Sequence, residues 1–140
     1  MAPLSRRELG KLALAGAAVA ILPACSHYDG QVSAANGQAV LTFAQFSSLA
    51  GVGGSAVVDV RGGFPIVVVR TGATTAAALS ATCTHQGCIM AYEASINDVH
   101  CNCHNADFTL DGAVVRGPTS IPLPTYPATV GSDAITVQIG

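Results

Sequence analysis

Short runs of β-branched and other apolar residues alternate with turn residues through most of the chain. Gly62 and Gly63 lie at the centre of the turn between two such runs, which predicts a β-hairpin. Asn97-Asp98 and Asp111-Gly112 indicate two further turns. The predicted strands are 40–43, 55–60, 66–70, 76–82, 89–92, 113–116 and 134–139, with one or two turns of helix over 43–49. Many short strands at this spacing predict an all-β domain, an antiparallel sandwich or a barrel-like fold.

The first 24 residues have a different pattern and read as an export signal. Arg6, Arg7 and Lys11 precede an apolar run over 12–22. This run is about 11 residues long, whereas a membrane-spanning helix needs roughly 20, so it fits a signal segment better than an anchor. The paired arginines resemble the twin-arginine export signal, and an ordinary secretory signal is the alternative.

The predicted signal ends at Leu22-Pro23-Ala24-Cys25, which resembles a bacterial lipobox, the motif whose cysteine receives a lipid after cleavage. An uncleaved anchor and a simple signal-peptidase site are the other readings. Cys25 is the odd cysteine of five, and a lipid would explain why it has no partner. We expect a linker over 25–37, with His27 solvated in it, and one folded domain over 38–140.

Composition limits the possible functions. The chain has 140 residues, of which half are hydrophobic and a tenth are charged, so it is too apolar to be disordered and long enough for one domain. After Glu8 only Arg61, Arg70 and Arg116 are basic, against seven acidic residues. A processed chain is therefore acidic, which excludes a nucleic-acid partner. Since Trp is absent and aromatics are few, Val, Ile, Leu and Ala must build the core.

Cysteine and histidine concentrate in two boxes within residues 83–104. The boxes read Cys83-Thr84-His85-Gln86-Gly87-Cys88 and Cys101-Asn102-Cys103-His104. A structural zinc site also uses two Cys and two His, but its first pair is usually Cys-x2–4-Cys, and it would leave two cysteines unexplained. A disulfide framework alone would leave the histidines unexplained.

The spacing Cys-x-His followed by Cys-x-x-His resembles the two boxes of the Rieske [2Fe–2S] family, in its respiratory, disulfide-containing form. The resemblance implies that Cys83 and Cys101 bind one iron and that His85 and His104 bind the other. It also implies a disulfide between Cys88 and Cys103 that joins the two loops. The expected fold is a Rieske-like antiparallel β-sandwich with a small cluster-binding subdomain, and the resemblance extends over about 40–139.

Several neighbouring residues are expected to shape the cluster environment. Gly117-Pro118 resembles the loop that covers the cluster in many members of the family. Ala106 and Phe108 occupy positions where high-potential members carry Ser and Tyr. Gln86 replaces a common Leu of quinol-oxidising members.

Three further positions in or near the boxes differ from the family pattern or match none of its ligand positions. Asn102 and Asn105 replace a common Pro and Gly. Asn105 tolerates the left-handed backbone that such a Gly marks. His100 matches no ligand position, and we expect it to be a strand residue.

The resemblance implies one-electron transfer. Neutral imidazoles raise the reduction potential to about −150 to +300 mV, against about −400 mV for plant-type all-cysteine clusters. We expect the chain to be the iron–sulfur subunit of an exported or membrane-associated oxidoreductase of the quinol:cytochrome c type, with a cytochrome subunit, cytochrome c or quinol as partner. The alternatives are the small subunit of an arsenite-oxidase-like enzyme and a stand-alone Rieske ferredoxin. Ferredoxins of this kind lack the two disulfide cysteines. No independent catalytic site is visible in the sequence.

Overall fold

The computed structural model describes residues 28–62, 64–84 and 87–140. The predicted export signal, Cys25 and His27 lie outside the described residues, as do Gly63, His85 and Gln86. No helix within the described ranges is long and apolar enough to cross a membrane. Twelve strands and one short 3-10 helix make up the described fold: β1 Gly30–Ser33, β2 Gln38–Thr42, η1 Ser47–Ala50, β3 Ser55–Arg61, β4 Pro65–Arg70, β5 Ala76–Ser80, β6 Ala91–Glu93, β7 Asp98–Cys101, β8 Ala106–Phe108, β9 Val114–Arg116, β10 Thr125–Tyr126, β11 Ala128–Val130 and β12 Ala134–Gln138.

The strands form three sheets, with orders β1-β3-β4-β5-β10, β11-β12-β2 and β6-β7-β8-β9. All strand pairs are antiparallel except β1 with β3, which is parallel. The predicted all-β fold, with a sandwich and a separate small sheet for the boxes, is confirmed. The hairpin predicted around Gly62 is also present, because β3 and β4 pair from Ser55↔Val69 to Asp59↔Pro65.

The central strands are buried on both faces, which explains their continuous apolar sequences. In β4, Ile66 and Val68 face a core shared with β2 and β12, and Val67 and Val69 face a second core. The second core contains residues of the small sheet and the first cysteine of each box, Cys83 and Cys101. The metal-binding subdomain is therefore built directly onto the sandwich.

Two sequence expectations are wrong. The linker predicted over 25–37 contains β1, in which Val32 is buried and Gly30–Ser33 pairs with β3. The helix predicted over 43–49 is only the single 3-10 turn Ser47–Ala50, in which Leu49 is buried. Strands β8, β10 and β11 are not predicted by the sequence pattern, and of β7 only His100 is expected to lie in a strand.

Candidate metal centre

The two box cysteines that the resemblance assigns to iron are buried thiols. Cys83 follows the β5 strand and is 3% exposed, and Cys101 ends β7 and is 0% exposed. Within the described part of the chain they are the two free cysteines. Their depth in the second core protects them from solvent, as a thiolate ligand pair requires.

The two thiols interact with each other. The pKa of Cys101 is raised, first by burial and then by its hydrogen bond with the Cys83 side chain. The backbone N–H groups of Cys103 and His104 donate to the Cys101 sulfur and act in the opposite direction, lowering the pKa. Burial therefore favours the protonated form of the Cys101 thiol, and binding of a metal there would have to displace that proton.

A disulfide joins the remaining cysteines of the boxes. Cys88 and Cys103 are bonded, with their Cα atoms 6.5 Å apart and a separation of 15 positions in the sequence. Their sulfurs and that of Cys101 all lie within 4.8 Å of one another. The bond confirms the predicted pairing and leaves Cys83 and Cys101 as the available thiol pair. It also removes two thiolates that a four-cysteine zinc site would need.

The histidines differ in their positions. His104 follows the disulfide cysteine and is partly exposed, and His85 lies outside the described residues. The next residue, Asn105, has φ +55°, so the left-handed backbone expected there is present. His100 is a β7 residue whose Nδ1 lies 2.5 Å from Oδ1 of Asp107, as expected for a strand residue with its own partner.

The Gly117-Pro118 loop and the residues after it contact the first box and the backbone just beyond the second box. The Thr84 hydroxyl, between the two first-box candidates, donates to the Ile121 carbonyl at 2.9 Å and lies 3.1 Å from the Thr119 hydroxyl. Gly117 packs on Ala106, two residues after His104. A third segment of the chain therefore packs against the site. The sequence pattern does not reveal the role of Thr84 and Thr119, because the residues that Thr84 contacts lie 35 and 37 positions further along the chain.

The side chains near the second box provide no hydroxyl where high-potential members carry one. Ala106 and Phe108 are both 0% exposed. The Thr109 hydroxyl accepts a hydrogen bond from the Ala113 amide and so helps to form the β8–β9 turn.

The donor set fits a mixed cysteine–histidine iron–sulfur site. Two buried thiols lie side by side, a partly exposed histidine follows one of them, and the other two cysteines are oxidised to a disulfide. Neutral imidazole and thiolate ligands together are typical of Rieske centres.

Comparison with known proteins agrees with this geometry. The sequence model described as "Rieske [2Fe-2S] domain" matches residues 40–127, which is more than half of the chain. The cytochrome b6-f complex iron-sulfur subunit of Chlorobaculum thiosulfatiphilum is 40% identical over 73 residues, covering 52% of this chain and 39% of that subunit. A second such subunit, from Synechocystis sp., is 40% identical over 73 residues, with 51% and 41% covered. The chain thus spans about two-fifths of the length of these relatives.

Solved structures are similar in fold. The crystal structure of the cyanobacterial plasma membrane Rieske protein PetC3 from Synechocystis PCC 6803 superposes with a TM-score of 0.56 at 31% identity, covering 69% of this chain and 94% of that one. The ferredoxin of carbazole 1,9a-dioxygenase from Nocardioides aromaticivorans IC177 gives 0.57 at 26% identity, with 72% and 95% covered.

Proposed function

The chain belongs to the Rieske [2Fe–2S] domain family, and on this premise we propose that Cys83 and Cys101 bind one iron of its cluster while His85 and His104 bind the other. The adjacent buried thiols of Cys83 and Cys101 support the cysteine pair. His104 follows in the same loop and reaches the surface. The bound cluster accepts and donates one electron at a time.

Single substitutions test this ligand set. Cys83→Ser and His104→Ala should each abolish the iron and sulfide content, because each removes a ligand. His27→Gln is the matched control, since His27 lies outside both boxes and should leave the cluster content unchanged. A His104→Ala protein that retains its full iron and sulfide content would overturn the assignment of His104.

We further propose that the chain works outside the cytoplasm as the iron–sulfur subunit of a quinol:cytochrome c type oxidoreductase. The Cys88–Cys103 disulfide carries this proposal, because disulfides persist in oxidising compartments and are rare in the cytoplasm. The paired Arg6 and Arg7 and the identity to cytochrome b6-f subunits agree with it. The N-terminus would place the domain on the periplasmic side of the cytoplasmic membrane, by a lipid on Cys25 or by an uncleaved anchor.

Isolation from the native host tests this assignment. A C-terminally tagged chain, purified from detergent-solubilised membranes, should bring b- and c-type haem with it, and added menaquinol should reduce its cluster. Intact mass then reports whether the mature chain starts at Cys25 with a diacylglyceryl group. A chain found alone in the cytoplasm with an intact Met1 would contradict the proposal.

One observation favours a second candidate, a stand-alone ferredoxin that serves an oxygenase. The similarity in fold to the ferredoxin of carbazole 1,9a-dioxygenase covers 72% of the chain. The same purification separates the two candidates, because a ferredoxin would carry no haem and would accept electrons from a flavin reductase. Copurifying molybdenum would instead indicate an arsenite-oxidase-like enzyme.

A further inference from the structure

A row of three interacting side chains crosses the small sheet. His100 on β7 is paired with Asp107 on β8, and Asp107 is paired with Arg116 on β9. His100 Nδ1 lies 2.5 Å from Asp107 Oδ1, and Arg116 Nη2 lies 3.0 Å from Asp107 Oδ2. Each oxygen of the carboxylate therefore has its own partner on a neighbouring strand.

The carboxylate at the centre of this row is deeply buried. The Asp107 side chain is 7% exposed, and among the described residues Asp107 is the one buried acidic or basic residue. The guanidinium of Arg116 covers it from the solvent side, with 66% of that side chain exposed. A buried charge is costly unless it is paired, and each oxygen of the Asp107 carboxylate has a partner that can offset this cost.

The row lies directly behind the metal centre. Each member is adjacent in sequence to a residue of the site: His100 precedes Cys101, Asp107 follows Ala106, and Arg116 precedes Gly117. Cys101 and Ala106 form the next cross-strand pair after His100 and Asp107. Because successive strand residues point to opposite faces, the row and the Cys101 thiol lie on opposite faces of the same strands.

We propose that Asp107 is a positioning residue for the metal centre and that the Asp107–Arg116 pair also sets the local charge that the cluster experiences. The inference rests on the proposed ligand set, in which Cys101 ends β7 and His104 lies in the turn that leads to β8. The carboxylate joins strands β7, β8 and β9, of which β7 carries Cys101, β8 carries Ala106 and β9 leads directly into Gly117. Its negative charge opposes addition of an electron to the cluster, and the guanidinium offsets that effect.

This charge balance predicts opposite effects for the two single variants. Asp107→Asn leaves the guanidinium uncompensated and should raise the reduction potential. Arg116→Gln leaves the carboxylate uncompensated and should lower it. The double variant removes both charges and should return close to the wild-type value. A role in folding alone would loosen the site in every variant and would not give shifts of opposite sign that cancel.

Two other variants serve as matched controls. Asp111→Asn removes the same charge from an exposed turn of the same subdomain, and Arg61→Gln removes a guanidinium from an exposed position on β3. Solvent screens the charges of both exposed side chains, so removing either charge should change the reduction potential less than the row variants do.

The experiment is protein-film voltammetry of the cluster-loaded proteins at one fixed pH, with EPR spectra of the reduced forms. Each single row variant should change the equilibrium constant for reduction by about threefold or more, which is about 30 mV for one electron because tenfold is about 59 mV. Shifts of the same sign, or no shift with an unchanged EPR spectrum, would overturn the proposal while the ligand set stands. Absence of a Rieske-type EPR signal from the wild type would overturn the ligand set and this inference with it. If Asp107→Asn does not fold, Arg116→Gln alone decides by the sign of its shift, because its side chain is largely exposed.

Discussion

A Cβ atom built on Gly117 would lie 2.7 Å from both the Cα and the Cβ of Ala106. Gly117 also has φ +131°, a region that side chains with a Cβ rarely adopt. The loop that closes the metal centre therefore lies directly on the backbone that follows His104. This contact requires the absence of a side chain at position 117.

Replacing Gly117 by Ala should weaken both the fold and the loop that closes over the metal centre. The backbone conformation alone should cost roughly 1–2 kcal/mol in the free energy of unfolding, and the overlap with Ala106 should add about 1–3 kcal/mol. Gly53→Ala is the matched control, because Gly53 has φ +87° but no atom lies within 4 Å of its built Cβ. Urea unfolding of the two variants measures the difference. Equal losses would show that the contact with Ala106 contributes nothing.

The disulfide should stabilise the two loops through the unfolded chain. Cys88→Ala with Cys103→Ala removes a bridge that spans 15 residues and should lower the free energy of unfolding by about 2–4 kcal/mol. Iron should also be lost faster to a chelator. Mass spectrometry of wild-type protein purified without reductant supplies the control, and two free thiols at these positions would contradict the account.

Asp98 should make the stability depend on pH. Burial, and to a lesser extent the charge of Asp107, raise its pKa above the ordinary value of 3.8. The folded state therefore binds the proton of Asp98 more tightly than the unfolded state does, so ionisation of Asp98 opposes folding. The resulting loss of stability develops as pH rises from 3.8 to the folded-state pKa. Glu93 lies directly opposite Asp98 across the β6–β7 pair and adds like charge.

Asp98→Asn should therefore raise Tm at pH 7, and the gain should disappear below pH 3.8. Thermal unfolding followed by circular dichroism across this range measures the effect, with Asp133→Asn in the exposed turn between β11 and β12 as the control. A gain that is largest in acid would have the wrong sign.

The reduction potential should lie well below the top of the Rieske range, because Ala106 and Phe108 carry no hydroxyl. The family resemblance implies that the Ser and Tyr hydroxyls of high-potential members donate hydrogen bonds to cluster or ligand sulfur at these positions. Hydrogen bonds to charged groups contribute roughly 1.5–3 kcal/mol. If about 1–2 kcal/mol of this contribution is gained only on reduction, each missing bond lowers the potential by about 40–90 mV. Ala106→Ser with Phe108→Tyr should raise the potential by on the order of 100 mV. A wild-type value near +300 mV would show that these positions do not determine the potential.

The features that depend only on residues close together in the sequence could be predicted from it. The β3–β4 hairpin was predictable because its turn residues and both apolar runs are contiguous. The resemblance to the Rieske family implies the Cys88–Cys103 pair, which the structure contains. In contrast, the polar sequence of β1 predicts a linker, because this segment forms a strand only by pairing with β3, where Gly30 lies opposite Val58.

The structural features that the sequence did not predict depend on pairing with residues elsewhere in the chain. Strand β8 is only three residues long and begins two residues after the second box, so its apolar periodicity is too short to recognise. Asp107 looks like any surface acid until the register brings His100 and Arg116 to its two oxygens. The sequence contains these residues but not the cross-strand alignment that gives them a role.

Mixed ligation of the iron by cysteine and histidine is the central claim, and pulsed EPR of reduced protein labelled with ¹⁵N-histidine tests it most directly. Two histidine nitrogens should couple strongly to the cluster, in a sample with two irons and two labile sulfides per chain. The low average g-value of Rieske centres should accompany them, and His27→Gln should preserve all of these features. One zinc and no iron, or an iron–sulfur signal without histidine nitrogen coupling, would contradict the assignment of His85 and His104.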